Sequence, residues 1–373
     1  MKKIVFVNQS SGYLMTDILN VYAKEYDEVV QIYGTIKENE RQLDPRIKLD
    51  RICVYDRSSA VKRVVTWAKG TWQIYRKLKH SYRDYEIVYV TNPPMAYLCS
   101  LRLKNPFSVI VFDTYPDALS NIGIRRGNPI FRIWSNWNKK LFARAKNVFT
   151  LSEGMANRLS NYIERQKITV VPCWAANGAF AQIAKNDNPF VYEHNLEDKF
   201  VVMYSGNMGV THNVQLLVEC AKRLKENTKV HFMLIGGGTK RAELETIVKT
   251  EGLANCTFLD WLPAEQLPYS LGAADLGTVS LTDETALVSV PSKTFNLLAV
   301  GCPLMCIVPR NSEIARMVDK YKNGKCFEVS EVDKMVEYIC QLSENKDMQK
   351  QLSDNSLVAS ADFTVDNAKM YFK

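Results

Sequence analysis

The chain has 373 residues, 46% apolar and 24% charged, and holds no run near the roughly twenty apolar residues that a membrane-crossing helix requires. That length exceeds what one hydrophobic core comfortably organises, so two domains are expected and a helical membrane span is excluded. The formal charge of +8 is uneven: residues 1–190 carry 29 Lys and Arg against 16 Asp and Glu, and residues 191–373 carry 19 against 24, so the two halves face different partners.

In chain order, apolar runs suited to strands alternate with helix-length amphipathic segments, the pattern of parallel α/β layers. The basic start at Met1 has too few apolar residues for a signal segment and reads as a first strand, Lys3 to Val7, which implies a cytoplasmic location. Further strands are expected at Glu28 to Ile32, Ile87 to Val90, Ser108 to Phe112, Asn147 to Leu151 and Ile168 to Val171. The small and polar residues of 176–199 suggest a linker. A second α/β domain follows, with strands at Phe200 to Ser205, Lys229 to Ile235, Cys256 to Leu259, Leu276 to Ser280, Leu304 to Ile307 and Cys326 to Val329. The expected domains are 1–175 and 200–360, two Rossmann-like halves facing a cleft, with a last helix at 361–373 reaching back to the first half. Nine cysteines sit singly, with no Cys-x-x-Cys and only four histidines, which reads as buried reduced thiols and no structural metal.

Ligands of open parallel sheets bind where strands end, so the loops after strands carry the candidate chemistry. After the first run of the second half comes Gly206-Asn207-Met208-Gly209, whose glycines let backbone approach an anion or simply form a turn. His212, just beyond, suits either a phosphate contact or a helix cap. The next run ends in Gly236-Gly237-Gly238-Thr239-Lys240. Three glycines in a row cost backbone entropy, which favours close approach to a ligand, with Lys240 reaching a diphosphate or lying solvated. Trp261 in Asp260-Trp261-Leu262-Pro263 frames a flat base or belongs to the core. Pro291-Ser292-Lys293-Thr294-Phe295-Asn296 places a hydroxyl, a cation and an amide on the opening turns of a helix, a place for a phosphate-bearing ligand.

In the first half, Asp113 and Asp117 follow a strand and are candidates to orient an acceptor hydroxyl or take its proton, or else they cap a turn. Gly12 and Tyr13, after an expected Asn8-Gln9-Ser10-Ser11 loop, suit close approach of a substrate. The chain contains no Asp-x-Asp triplet to hold a divalent ion on a diphosphate.

Taken in series, Tyr204 to Gly209, Leu234 to Gly238, Phe258 to Pro263, Ala273 to Asp275 and Pro291 to Pro303 resemble the retaining family-4 glycosyltransferases of the GT-B fold, nearest the branch that builds capsule and O-antigen polysaccharides. Thinner matches before residue 200 include Phe112 to Asp117 and Leu151 to Met155. The resemblance implies a nucleoside-diphosphate sugar in the second domain, UDP by family frequency, an acceptor in the first, anomeric retention, and neither metal nor cofactor. By that carry-over Gly206 to Gly209 and Lys293 face the donor diphosphate. Asn296 stands where the family usually has the second glutamate of Glu-x7-Glu, and Val288 stands at the first. Val210-Thr211-His212-Asn213 replaces the usual Arg and Lys pair, leaving Lys293 and helix dipoles more of the charge to carry. Glu284 is a nearby carboxylate that could compensate.

Between Arg57 and Arg83, eight basic residues and no acid are interleaved with Trp67, Trp72, Tyr75 and Tyr82. Ala118 to Ser152 likewise lacks acids while holding Arg125, Arg126, Arg132, Lys139, Lys140, Arg144 and Lys146 among Phe131, Trp134, Trp137 and Phe142. Such faces suit an anionic membrane surface, or they are helix core with solvated charges; a nucleic-acid partner is not expected. The leading expectation is a transferase peripheral to the inner face of the plasma membrane, acting on a polyprenyl-diphosphate-linked glycan. The alternatives are a nucleotide-sugar epimerase on the same architecture and a non-catalytic nucleotide-binding scaffold.

Overall fold

Val5, Val7, Val30, Ile32, Ile87, Tyr89, Val109 and Val111 are buried on one face and Ile4, Phe6, Val29, Val88, Val90 and Ile110 between them are buried as well, and such near-continuous apolar runs are why these segments become the central strands of one parallel sheet. The structure is a computed structural model describing every residue except 38–40, 57, 123–126, 176–179, 287–290 and 373, with the side chains of 120–122 and 284 also outside the described set. It divides into two units, Met1–Cys173 with Val365–Lys373, and Trp174–Thr364.

In the first unit the strands are β1 Lys3–Ser11, β2 Glu28–Ile36, β3 Lys48–Arg51, β4 Glu86–Val90, β5 Phe107–Val111, β6 Val148–Thr150 and β7 Ile168–Val170, ordered β3-β2-β1-β4-β5-β6-β7 and all parallel. Two features depart from the sequence reading. β3 is an added edge strand whose charged run, with Leu49 exposed, carries no apolar signal. The expected Asn8-to-Ser11 loop is instead the end of β1, because its buried polar side chains find lateral partners. Gln9 Nε2 donates to the Cys53 and Thr66 carbonyls, both at 3.0 Å, and Gln31 Nε2 donates to Ser11 Oγ.

The second unit has β8 Phe200–Ser205, β9 Val230–Ile235, β10 Cys256–Leu259, β11 Leu276–Ser280, β12 Leu304–Ile307 and β13 Gly324–Phe327, ordered β10-β9-β8-β11-β12-β13, again all parallel. β13 begins two residues before the expected run, and Val329 lies beyond it, half exposed. The order reverses between β8 and β11, so the crevice at their carboxyl ends is where such a sheet receives a ligand. The described part of 176–199 belongs to this unit. Lys185 pairs with Asp275 at 2.8 Å, Asn188 caps the Pro189–Glu193 helix, and Phe190, Val191 and Leu196 are buried, which ties the stretch down. Residues Val365–Tyr371 form a 3-10 helix that packs on the Tyr13–Tyr22 helix inside the first unit.

Candidate functional site

At the end of β8 the Tyr204 hydroxyl donates to the Asn207 carbonyl at 2.7 Å and holds the following turn. That turn is locked to the one after β9: the Gly206 amide donates to the Ile235 carbonyl (2.9 Å), Met208 N–H to the Gly237 carbonyl (2.7 Å) and Lys240 N–H to the Met208 carbonyl (3.0 Å). Gly236 and Gly238 adopt φ of +125° and +146°, the region that glycine enters without a Cβ penalty. A Cβ at Gly236 would lie 2.2 Å from the Gly206 carbonyl oxygen, and one at Gly238 would lie 2.5 Å from the Met208 carbonyl carbon. Gly236 and Gly238 are therefore required by the neighbouring loop, whereas a Cβ at Gly237 would meet Trp261 Nε1.

Over these loops sits the lysine of the Ser292–Ala299 helix, which follows β11. Lys293 Nζ lies 3.7 Å from the centre of the Tyr204 ring and 3.2 Å from where a Cβ on Gly206 would be. The nitrogen is buried and has no hydrogen-bond partner among the described residues. Burial pushes its pKa down from 10.5 to about 7. The adjacent His212 is half-buried and hydrogen-bonded to Thr211 Oγ1 at 3.1 Å; desolvation first, then the cations of Lys293 and Lys240, push it down to about 4. The imidazole is thus neutral at physiological pH. A buried lysine amine, a neutral imidazole and positive-φ glycines at the crevice form a place where an anionic oxygen would supply the missing acceptor and favour the lysine's charged form.

Around this centre, Ser292 is exposed on the first turn of its helix and caps nothing. Asn296, half-buried, lies three residues beyond Lys293 on the same helix face. In the first loop the Asn207 amide packs on Gly209, its Nδ2 being 2.8 Å from where a Cβ there would stand. Lys240 turns toward Gln215 Oε1 at 3.3 Å. Trp261 is 63% exposed, so the core alternative for it fails; its Nε1 lies 2.9 Å from a Cβ position on Gly237. Sequence reasoning missed two residues. Tyr204 supplies the ring beneath Lys293, and Arg241 donates to the Gly236 carbonyl at 2.6 Å while pairing with Asp260 and with Glu245 (2.7 Å). The lysine before it, not the arginine, carried the phosphate expectation. Val288, the Glu284 side chain, and Arg57, Arg125 and Arg126 lie outside the described residues.

In the first unit, Gly12 is the residue before the Tyr13–Tyr22 helix, and Tyr13 is buried at 8% exposure, which leaves little of its ring for a substrate. Asp113 is exposed beyond β5, its N–H donating to Thr91 Oγ1 at 3.1 Å. Asp117 accepts the Tyr162 hydroxyl at 3.1 Å. Nearby, Arg63 Nε, Trp67 Nε1, Asn92 Oδ1 and Thr114 Oγ1 are buried without partners among the described residues; all but Arg63 and Trp67 follow the ends of β4 and β5. Charged-residue bias alone could not have singled them out.

Residues 185–357 match the family described as glycosyl transferases group 1. Over 243 residues the chain is 24% identical to the Escherichia coli (strain K12) protein WcaI, named as a colanic acid biosynthesis glycosyl transferase, covering 63% of this chain and 60% of that protein. WbjE of Pseudomonas aeruginosa, named as a glycosyltransferase, is 22% identical over 331 residues, 85% of this chain and 82% of its own. The crystal structure of HepE from Anabaena in complex with UDP and glucose superposes with a TM-score of 0.74 at 14% identity, covering 100% of this chain and 98% of that one. That likeness shows the fold: two parallel α/β sheets of the GT-B kind.

Proposed function

From residues 185–357, which carry the glycosyl transferase group 1 match, we propose that the protein moves a sugar from a UDP-sugar to a lipid-linked glycan in the assembly of a bacterial surface polysaccharide. The observation that carries this reading is the unpartnered, buried Lys293 nitrogen at the β8/β11 crevice. A diphosphate there completes its hydrogen bonding. As the bond from sugar C1 to the diphosphate oxygen breaks, the charge growing on the leaving group meets Lys293 and the free N–H groups opening the Ser292–Ala299 helix. The acceptor oxygen bonds to C1 on the face the diphosphate leaves, with retention, and gives up its proton to a carboxylate base, the role the sequence suggests for Asp113. The UDP-bound neighbour HepE and the polysaccharide-related name of WcaI support the donor and the setting. Lysine and helix N-terminus together supply the charge that a divalent ion gives in other transferases, so transfer is metal-independent on this reading.

The test is thermal melting across a panel of nucleoside diphosphates, followed by transfer to membrane extract with chelator present. UDP near 100 times its Kd adds about 2.7 kcal/mol to the unit that binds it, a rise of several degrees. Lys293→Met removes that rise, and Asp113→Asn keeps it while transfer falls by roughly a hundredfold or more. A wild-type chain whose melting no nucleotide moves would end the proposal.

A further inference from the structure

The long helix Ala60–His80 buries Trp67, Gly70, Ile74 and Leu78 against the first unit. On the opposite side it carries a second apolar stripe that nothing in the unit covers. Val61, Val65, Ala68 and Trp72 recur at i, i+4, i+7 and i+11 with Val64 beside them, and all five are exposed, Val61 to 73% and Trp72 to 56%. A surface helix normally places polar residues there. The neighbours of this stripe are cations: Lys69 and Lys79 are exposed, and the Arg76 guanidinium lies 4.9 Å from the centre of the Trp72 ring.

The helix Pro129–Arg144 repeats the arrangement. Phe131, Trp134, Leu141 and Phe142 point into the core, while Ile130, Ile133 and Trp137 are exposed among Arg132, Lys139 and Lys140. The two helices lie on the same side of the unit. Both pack on the short helix Ala96–Leu101, and Trp67 shares a buried cluster with Phe131 and Trp134. Of the eight aromatic residues that the sequence placed on a basic face, Trp67, Phe131, Trp134 and Phe142 are thus core, Tyr75 and Tyr82 pack half-buried against it, and Trp72 and Trp137 stand exposed on stripes of aliphatic side chains.

Resting on the reading that the acceptor is lipid-linked, we propose that these two helix faces are one monotopic docking surface for an anionic lipid bilayer, with the valines, isoleucines and both tryptophans entering the interface and the flanking Lys and Arg meeting headgroup phosphates. Charge decides the occupant. A second copy of this chain would set the same cations against each other, whereas an anionic leaflet meets them with opposite charge, and Trp at the headgroup level is where an amphipathic ring is stable. No helix among the described residues is long and apolar enough to cross a membrane, so the contact is with the surface. A shallow groove of about 440 Å³ at the end of the first helix, lined by Trp72, Arg76, Lys77 and His80 among others, is of a size and charge to take one headgroup.

The experiment is sedimentation of the full chain with phosphatidylcholine vesicles, with and without phosphatidylglycerol. The protein should pellet with the anionic vesicles, less so as salt is raised, and partition should fall at least about tenfold in Val65→Ser/Trp72→Ser and in Trp137→Ser. Val358→Ser, an exposed apolar residue of the second unit, should change nothing. Melting with UDP, read on the same samples, reports donor binding separately: an intact UDP shift in the stripe variants leaves the transferase reading standing whatever the vesicles show. A wild-type chain that stays in the supernatant, variants that pellet as well as wild type, stripe variants that lose only self-association by light scattering, or retention on duplex DNA equal to that on anionic vesicles would each overturn the docking surface.

Discussion

Burying the Lys293 ammonium without an acceptor penalises the folded state, and the pH at which the penalty acts follows from its pKa. The group is depressed from 10.5 to about 7. Between those values the unfolded chain holds a proton that the folded chain has released, so stability rises with pH across that window, and below pH 7 the whole cost is present. Lys293→Met should therefore stabilise the ligand-free protein on the order of a few kcal/mol at pH 6, with the gain shrinking toward pH 10, as read from paired melting curves. A constant difference at every pH would contradict the assignment. Binding a diphosphate reverses the preference, because an anion in contact favours the charged form. Calorimetry at pH 8 in buffers of different ionisation enthalpy should show about one proton taken up per UDP bound by the wild type, and proton release or no exchange would contradict the assignment.

The turns after β8 and β9 act as one element because their backbones touch where side chains would be. Ala at Gly236 must hold a φ of +125° with its Cβ at 2.2 Å from a carbonyl oxygen. Gly236→Ala should lower stability by about 3 kcal/mol or more, seen as a drop in melting temperature, with loss of the UDP response. Gly127→Ala, where a Cβ would meet nothing within 4 Å, is the neutral control. The same two turns show what a sequence can and cannot reveal. Strand ends and glycine positions were legible because apolar runs stop at Ser205 and Ile235 and glycines follow. The reason for the glycines was not, since it depends on which strands become neighbours, and β8 pairs with β9 only in the folded sheet. β3 escaped notice for a similar reason: an edge strand of alternating charge carries no burial pattern. Lys293 was legible as a cation on a helix start, whereas its orphaned state and the ring of Tyr204 beneath it required two distant segments to meet.

At the scale of the whole chain, the first unit is discontinuous: Met1–Cys173 is joined in space by residues from 365 onward. Tyr22 donates its hydroxyl to the Tyr371 carbonyl at 2.7 Å, Tyr371 is 1% exposed with its ring centre 5.1 Å from that of Phe149, and Phe372 meets Tyr22 edge-on at 5.3 Å. Removing residues 365–373 strips two aromatic rings and one buried hydrogen bond, and should weaken the first unit by about 3–5 kcal/mol. Calorimetry should then resolve an early transition for that unit while the UDP-responsive transition holds its temperature; a single unchanged transition would refute this. Synthesis gives the arrangement a direction in time. A ribosome making this protein must release the whole second unit before the seam of the first can close, so the earlier-made half waits with a raw aromatic edge until the later one is finished, and a chain stopped short would leave a complete second unit tethered to an unsealed first.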